Sequence, residues 1–176
     1  MRKRLVLMAL CSLLAVGGMT VSAFAAGKGL SMGDSSFLKD AASGGMMEVQ
    51  LGQVAKEKAT MQAVKDFGAR MVTDHSKAND ELKDLAAQKS VKLPAKLKHK
   101  HKATFDKVSK SGADFDKQYM QAMVKDHIKD VADFKKATTK VKDPDLNAWT
   151  VKTLPVLEQH LQQAKEIAQK LGVQVK

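Results

Sequence analysis

Two long stretches of this chain place apolar residues at alternating steps of three and four, and each interrupts its run with a histidine near the midpoint. One reads Val64, Gly68, Met71, His75, Ala78, Leu82, Leu85; the other reads Met120, Val124, His127, Val131, Phe134. That spacing collects each set on one face of a helix, the face a folded protein buries. The histidines also sit in near-copies of one element, Met71-Val72-Thr73-Asp74-His75 and Met123-Val124-Lys125-Asp126-His127. An ionisable ring in an apolar stripe must find partners once it leaves water.

Two further stripes repeat the arrangement. Ahead of the pair, Ala41, Gly45, Glu48, Gly52, Ala55 and Ala59 line one face; after it come Leu146, Thr150, Thr153, Leu157, His160, Ala164, Ile167 and Leu171. Every residue of the first except Glu48 is small, which lets a neighbouring backbone come close. The expected helices cover residues 34–60, 61–90, 114–140 and 145–171, with a cap at Asp34 or Ser35 and a left-handed stop at Gly172. Ser43-Gly44-Gly45 weakens the first, with a kink as the alternative to a continuous helix, and Pro155 should bend the last. Pro94 opens a short, strongly basic connecting helix over residues 95–110. Glu48, His75, His127 and His160 each lie near a helix midpoint, so an antiparallel arrangement brings them into one polar layer.

Composition supports an all-α chain. Aromatics make up 5% and the three prolines stand at 94, 144 and 155, while helix formers are abundant. Residues 1–25 have the layout of a secretory signal peptide: basic Arg2-Lys3-Arg4, an apolar run, then Ala23-Phe24-Ala25 as a cleavage site. Removing them takes 30 basic residues to 27 against 19 acidic ones, a formal +8, and removes Cys11, the sole cysteine. Disulfides and thiolate metal sites are then excluded. The expected division is signal peptide 1–25, lead-in 26–33, helical bundle 34–172 and tail 173–176. The mature protein has no membrane span and is periplasmic or secreted. A thin internal repeat, with Glu48 answered by Asp126 at an offset of 78 and His75 by His160 at 85, suggests a doubled hairpin.

Glu48-Val49-x-Leu51-Gly52, the two Met-Val-x-Asp-His elements, Phe115-Asp116-x-x-Tyr119 and Leu154-Pro155-x-Leu157-x-x-His160-Leu161 together resemble one group. It is the ferritin-like domain-of-unknown-function family of exported bacterial proteins, often labelled "predicted outer membrane protein". The resemblance implies a ferritin-like antiparallel four-helix bundle and an envelope location, and no established activity. Nothing in the sequence reads as barrel strands.

Two readings fit the polar layer. Glu48, His75, His127 and His160 suit zinc, copper, iron or manganese, with Met71 and Met123, one turn before their histidines, as extra thioether donors and Asp74 and Asp126 as supporting partners. In the other, Glu48 accepts hydrogen bonds from the histidines without metal and sets helix register. A di-iron oxidase fits less well, because residues 72, 124 and 157, three before each histidine, are Val, Val and Leu rather than Glu. The function expected is a non-catalytic metal-binding or metal-buffering envelope protein. Its alternative is a structural or stress-related interaction protein whose basic segment, residues 96–110, meets anionic envelope components. His99 and His101 in that segment read as solvated. Nucleic acid is a poor partner for an exported chain so short of aromatics.

Overall fold

The computed structural model describes residues 29–174; the expected signal peptide and the last two residues lie outside them. The described residues are all-helical: α1 (Met32–Lys58), α2 (Gln62–Gln88), α3 (His99–Ser109), α4 (Phe115–Lys140) and α5 (Pro144–Lys170), with a short 3-10 turn at Gly112–Asp114. Packing is heaviest between α1 and α2 and between α4 and α5, two antiparallel hairpins whose faces meet through α2–α5 and α1–α4. The connecting α3 lies against α1 and α4. None of the described helices is long and apolar enough to cross a membrane.

The two hairpins hold each other by reciprocal caps. Asp116, at the start of α4, accepts from Thr60 N, Thr60 Oγ1 and Met61 N in the α1–α2 turn, at 2.7–3.2 Å. Asp34, at the start of α1, accepts from Lys142 N and Asp143 N in the α4–α5 turn, at 3.1–3.3 Å. Both carboxylates and both turns stand 82 residues apart (34 to 116, 60 to 142), so the halves are equivalent in that register. The sequence offsets of 78 and 85 miss it. Glu48 is therefore answered by Asp130, not by Asp126.

Asp34 is also not the cap of α1. Ser31 Oγ accepts from Asp34 N and caps the helix, which leaves the Asp34 carboxylate for the opposite turn. α1 runs unbroken through Ser43-Gly44-Gly45 because neighbours use the room the small residues leave. Ser43 Oγ accepts from Lys98 N, and a Cβ on Gly45 would stand 2.3 Å from Asn79 Oδ1. Further along, a Cβ on Gly52 would meet Gly68 O at 2.7 Å, so α1 and α2 touch backbone to backbone there. α3 begins at His99, later than the sequence suggests, with Lys98 N donating to Ser43 rather than within a helix turn. α5 starts on Pro144, with Asp143 Oδ1 capping Asp145 N and Leu146 N, and continues past Pro155.

The apolar core falls into two clusters. One gathers Met47, Leu51, Phe67, Met71, Tyr119, Met123 and Ile167 at one end; the other gathers Leu38, Leu82, Phe134, Leu146, Trp149 and Leu157 at the opposite end. Between them lie Glu48, His75, His127 and His160, all at most 6% exposed.

Candidate metal centre

Each long helix delivers one member of the layer because its buried stripe reaches mid-length there: Glu48 from α1, His75 from α2, His127 from α4 and His160 from α5. The three imidazoles form a near-equilateral triangle, with ring centroids 5.8 Å apart for His75 and His127, 5.2 Å for His75 and His160, and 5.4 Å for His127 and His160. One nitrogen from each ring lies within 4.8 Å of the other two. Three atoms no farther apart than that share a centre at most about 2.8 Å from each, against a zinc–imidazole bond of about 2.0–2.1 Å, so small ring shifts would close them on an ion.

Hydrogen bonding fixes which nitrogen each ring has to offer. His127 Nδ1 lies 2.9 Å from Met123 O. A carbonyl only accepts, so Nδ1 carries the proton and Nε2 holds a lone pair in the neutral ring. Asp74 Oδ2 takes His160 Nε2 at 2.7 Å, leaving Nδ1. Glu48 Oε2 takes His75 Nδ1 at 2.9 Å, leaving Nε2. The three remaining atoms, His75 Nε2, His127 Nε2 and His160 Nδ1, are buried without a hydrogen-bond partner. One nitrogen oriented by a carboxylate or carbonyl and the other left open is how proteins prepare an imidazole for a metal.

Electrostatics favour neutral rings at two of the three positions. Burial, with the His75 charge added, holds His160 down to about 4. Burial likewise lowers His127. His75 moves the other way: burial opposes its charge, but the Glu48 carboxylate beside it raises its pKa above the ordinary histidine value. Burial would raise Glu48, yet the three surrounding histidines, His75 foremost, bring it to about 2. Glu48 is thus an anion at neutral pH, with Oε1 unpartnered. Phe67 closes the layer on one side, its ring 6.4 Å from His127 and 6.5 Å from His160. On another side lies a cavity of about 130 Å³, lined by Glu48 and His75 together with Lys100 and Asp133.

Asp74 lies one residue before the stripe and yet crosses to α5, where it is held between His160 and Arg70, whose Nε stands 3.2 Å away. Met71 and Met123 are fully buried in the apolar cluster, and Met123 serves the layer through its carbonyl. His101, expected in solvent, is buried with Nδ1 2.7 Å from Ser43 Oγ, because α3 folds back onto α1. Three residues escaped the sequence pattern. Asp130 shares a carboxylate cluster with Glu48 and Asp126. Tyr119 buries its hydroxyl without a partner, and burial with the Glu48 charge holds its proton on. Ser43 ties α3 to α1. Of these, Asp130 left a positional signal, one turn after Asp126 and three residues after His127, and Tyr119 stood in the Phe115-Asp116-x-x-Tyr119 motif without a role.

Solved structures share the fold. A DUF305 fragment from Deinococcus radiodurans aligns at a TM-score of 0.71 and 9% identity, over 81% of this chain and 99% of that one. CopM in the Cu(I)-bound form aligns at 0.66 and 16% identity, over 78% and 96%. CopM in the Cu(II)-bound form aligns at 0.67 and 17% identity, over 78% and 97%. No curated protein matches the chain. Residues 19–167 match the family described as "Domain of unknown function (DUF4142)", and the chain belongs to that family.

Proposed function

We propose that the protein holds one transition-metal ion between His75, His127 and His160, with the Glu48 carboxylate balancing its charge from beside the site. The observation that carries this is the set of three buried imidazole nitrogens without partners, each on a ring whose other nitrogen is already engaged. Leaving them bare costs roughly 1–3 kcal/mol per atom. One ion satisfies all three. Neutral imidazoles with a single carboxylate favour a borderline ion, Cu²⁺ or Zn²⁺, over iron or manganese. The thioethers of Met71 and Met123 are not needed for this set. Copper in the titles of the CopM structures belongs to that protein; at 16–17% identity the likeness carries the fold, and the metal reading rests on the side chains here.

The role that follows is binding or buffering rather than catalysis, in an exported protein whose four long helices make a ferritin-like bundle. Envelope location rests on residues 1–25, which lie outside the described ones. A second reading keeps the layer metal-free, and the buried His75–Glu48 pair at 2.9 Å favours it, since a charged His75 satisfies Glu48 without an ion. In that reading the basic connector meets an acidic envelope partner. Its Lys98 and Lys100 already bind Asp40, and Lys102 binds Asp106, which leaves a weaker surface charge than the sequence suggests.

Equilibrium dialysis of the chelator-stripped protein against Zn²⁺ or Cu²⁺, with elemental analysis, separates the two. One equivalent in the wild type and none in His127→Ala or His160→Ala is expected. Metal content that ignores both substitutions contradicts the proposal.

A further inference from the structure

Glu48 belongs to a second group of potential ligands. Glu48, Asp126 and Asp130 each place one carboxylate oxygen within 4.8 Å of the other two. Asp126 and Asp130 stand one turn apart on the same face of α4, while Glu48 comes from α1. In the register set by the reciprocal caps, Glu48 and Asp130 are the matching residues of the two hairpins.

Three carboxylates this close repel one another unless protons or a cation neutralise them, and burial with that repulsion raises both Asp126 and Asp130. The neighbouring basic groups are engaged elsewhere. Lys129 Nζ is bonded to Asp133, Lys100 Nζ to Asp40, and His101 Nδ1 contacts Ser43 Oγ. No hydrogen bond joins any two of these carboxyl groups among the described residues. Two atoms are instead buried without any partner: Glu48 Oε1, on a side chain 2% exposed, and Asp126 Oδ2. His75 holds Glu48 Oε2, and Oε1, 3.4 Å from His127 Nε2, is left without a hydrogen bond. The group is within reach of solvent. The cavity of about 130 Å³ touches Glu48 and Asp130, and a neighbouring cleft between α3 and α4 touches Asp126.

We propose that Glu48, Asp126 and Asp130 form a second cation site beside the imidazole triangle, taking a hard divalent ion such as Mn²⁺ or Ca²⁺. All-oxygen donors with room for water select that class, as imidazoles select the softer one. Glu48 then stands between the two ions, with Oε2 orienting His75 and Oε1, 3.4 Å from His127 Nε2, shared between the two sites. This goes beyond the imidazole site and does not need it filled.

Chelator-stripped full-length protein is titrated with Mn²⁺, followed by electron paramagnetic resonance, and separately with Zn²⁺ by calorimetry. The wild type binds one Mn²⁺. Asp130→Asn and Asp126→Asn, near-isosteric changes at partly exposed positions, each weaken Mn²⁺ at least tenfold and leave one Zn²⁺ in place. His160→Ala does the reverse. Mn²⁺ that fails to bind the wild type, or binds both Asn variants as tightly, overturns the carboxylate site even where Zn²⁺ binds. Zn²⁺ that fails to bind while Mn²⁺ follows Asp126 and Asp130 overturns the imidazole site alone.

Discussion

His127 Nε2 and Glu48 Oε1 lie 3.4 Å apart, both buried and both without a hydrogen-bond partner. The ion-pair distance would suggest attraction, but the ring's proton is on Nδ1, held by the Met123 carbonyl, and burial keeps the ring from taking a second. Two lone pairs therefore face each other in the middle of the protein. A cation between them would resolve the conflict, and that is the occupant proposed for this layer.

Asp74 fixes His160 by accepting from its Nε2 at 2.7 Å, and at 31% side-chain exposure it contributes little to the core. Asp74→Ala is expected to weaken Zn²⁺ or Cu²⁺ binding by roughly 10–100-fold, the usual consequence of removing a carboxylate behind a ligating histidine. Far-UV circular dichroism should stay unchanged. Calorimetry showing wild-type affinity would remove Asp74 from the account.

Asp126 gives a signed pH dependence. Burial, then the Glu48 charge, raises its pKa from 3.8 to about 7. The unfolded chain releases this proton near 3.8 and the folded one near 7, so stability present below the lower value is lost as pH rises to the higher. Asp126→Asn keeps the uncharged form. The metal-free variant should then be more stable than the wild type at pH 8, by on the order of 1–3 kcal/mol after allowance for partial exposure, and melt higher, with the gap closing below pH 4. Thermal melts at both pH values check it. An equal gap at both, or a wild type that melts higher at pH 8, would contradict the sign.

The reciprocal caps should matter for folding rather than for metal. Asp116→Ala strips acceptors from Thr60 N and Met61 N in the α1–α2 turn, part-buried donors whose hydrogen bonds to a charged group are worth about 1.5–3 kcal/mol each. Chemical denaturation should show a loss of about 2–4 kcal/mol, with Zn²⁺ stoichiometry retained in the folded fraction. A loss below about 0.5 kcal/mol would mean that water replaces the carboxylate.

Much of this was legible in the sequence because helical periodicity encodes facing. Glu48, His75, His127 and His160 announce themselves by occupying aliphatic positions near helix midpoints, and antiparallel hairpins convert equal depth into contact. What stayed hidden depends on how one element sits across another. Asp74 reads as a supporting partner of the layer without a named contact, and Asp130 has no place in the stripe; only the approach of α5 to α2 and of α4 to α1 shows what each one meets. His101 reads as surface because no local pattern reports that Ser43 pulls α3 onto α1. Asp34 illustrates the same limit: a sound cap by residue type, displaced because Ser31 takes the task and the opposite turn needs a carboxylate more.

X-ray absorption at the metal edge of the Zn²⁺- or Cu²⁺-loaded protein tests the central claim most directly, since it counts imidazoles on the ion. The account predicts three, at about 2.0 Å, falling to two or to an empty site in His160→Ala. A spectrum fitted by oxygen neighbours alone, unchanged by that substitution, would contradict it.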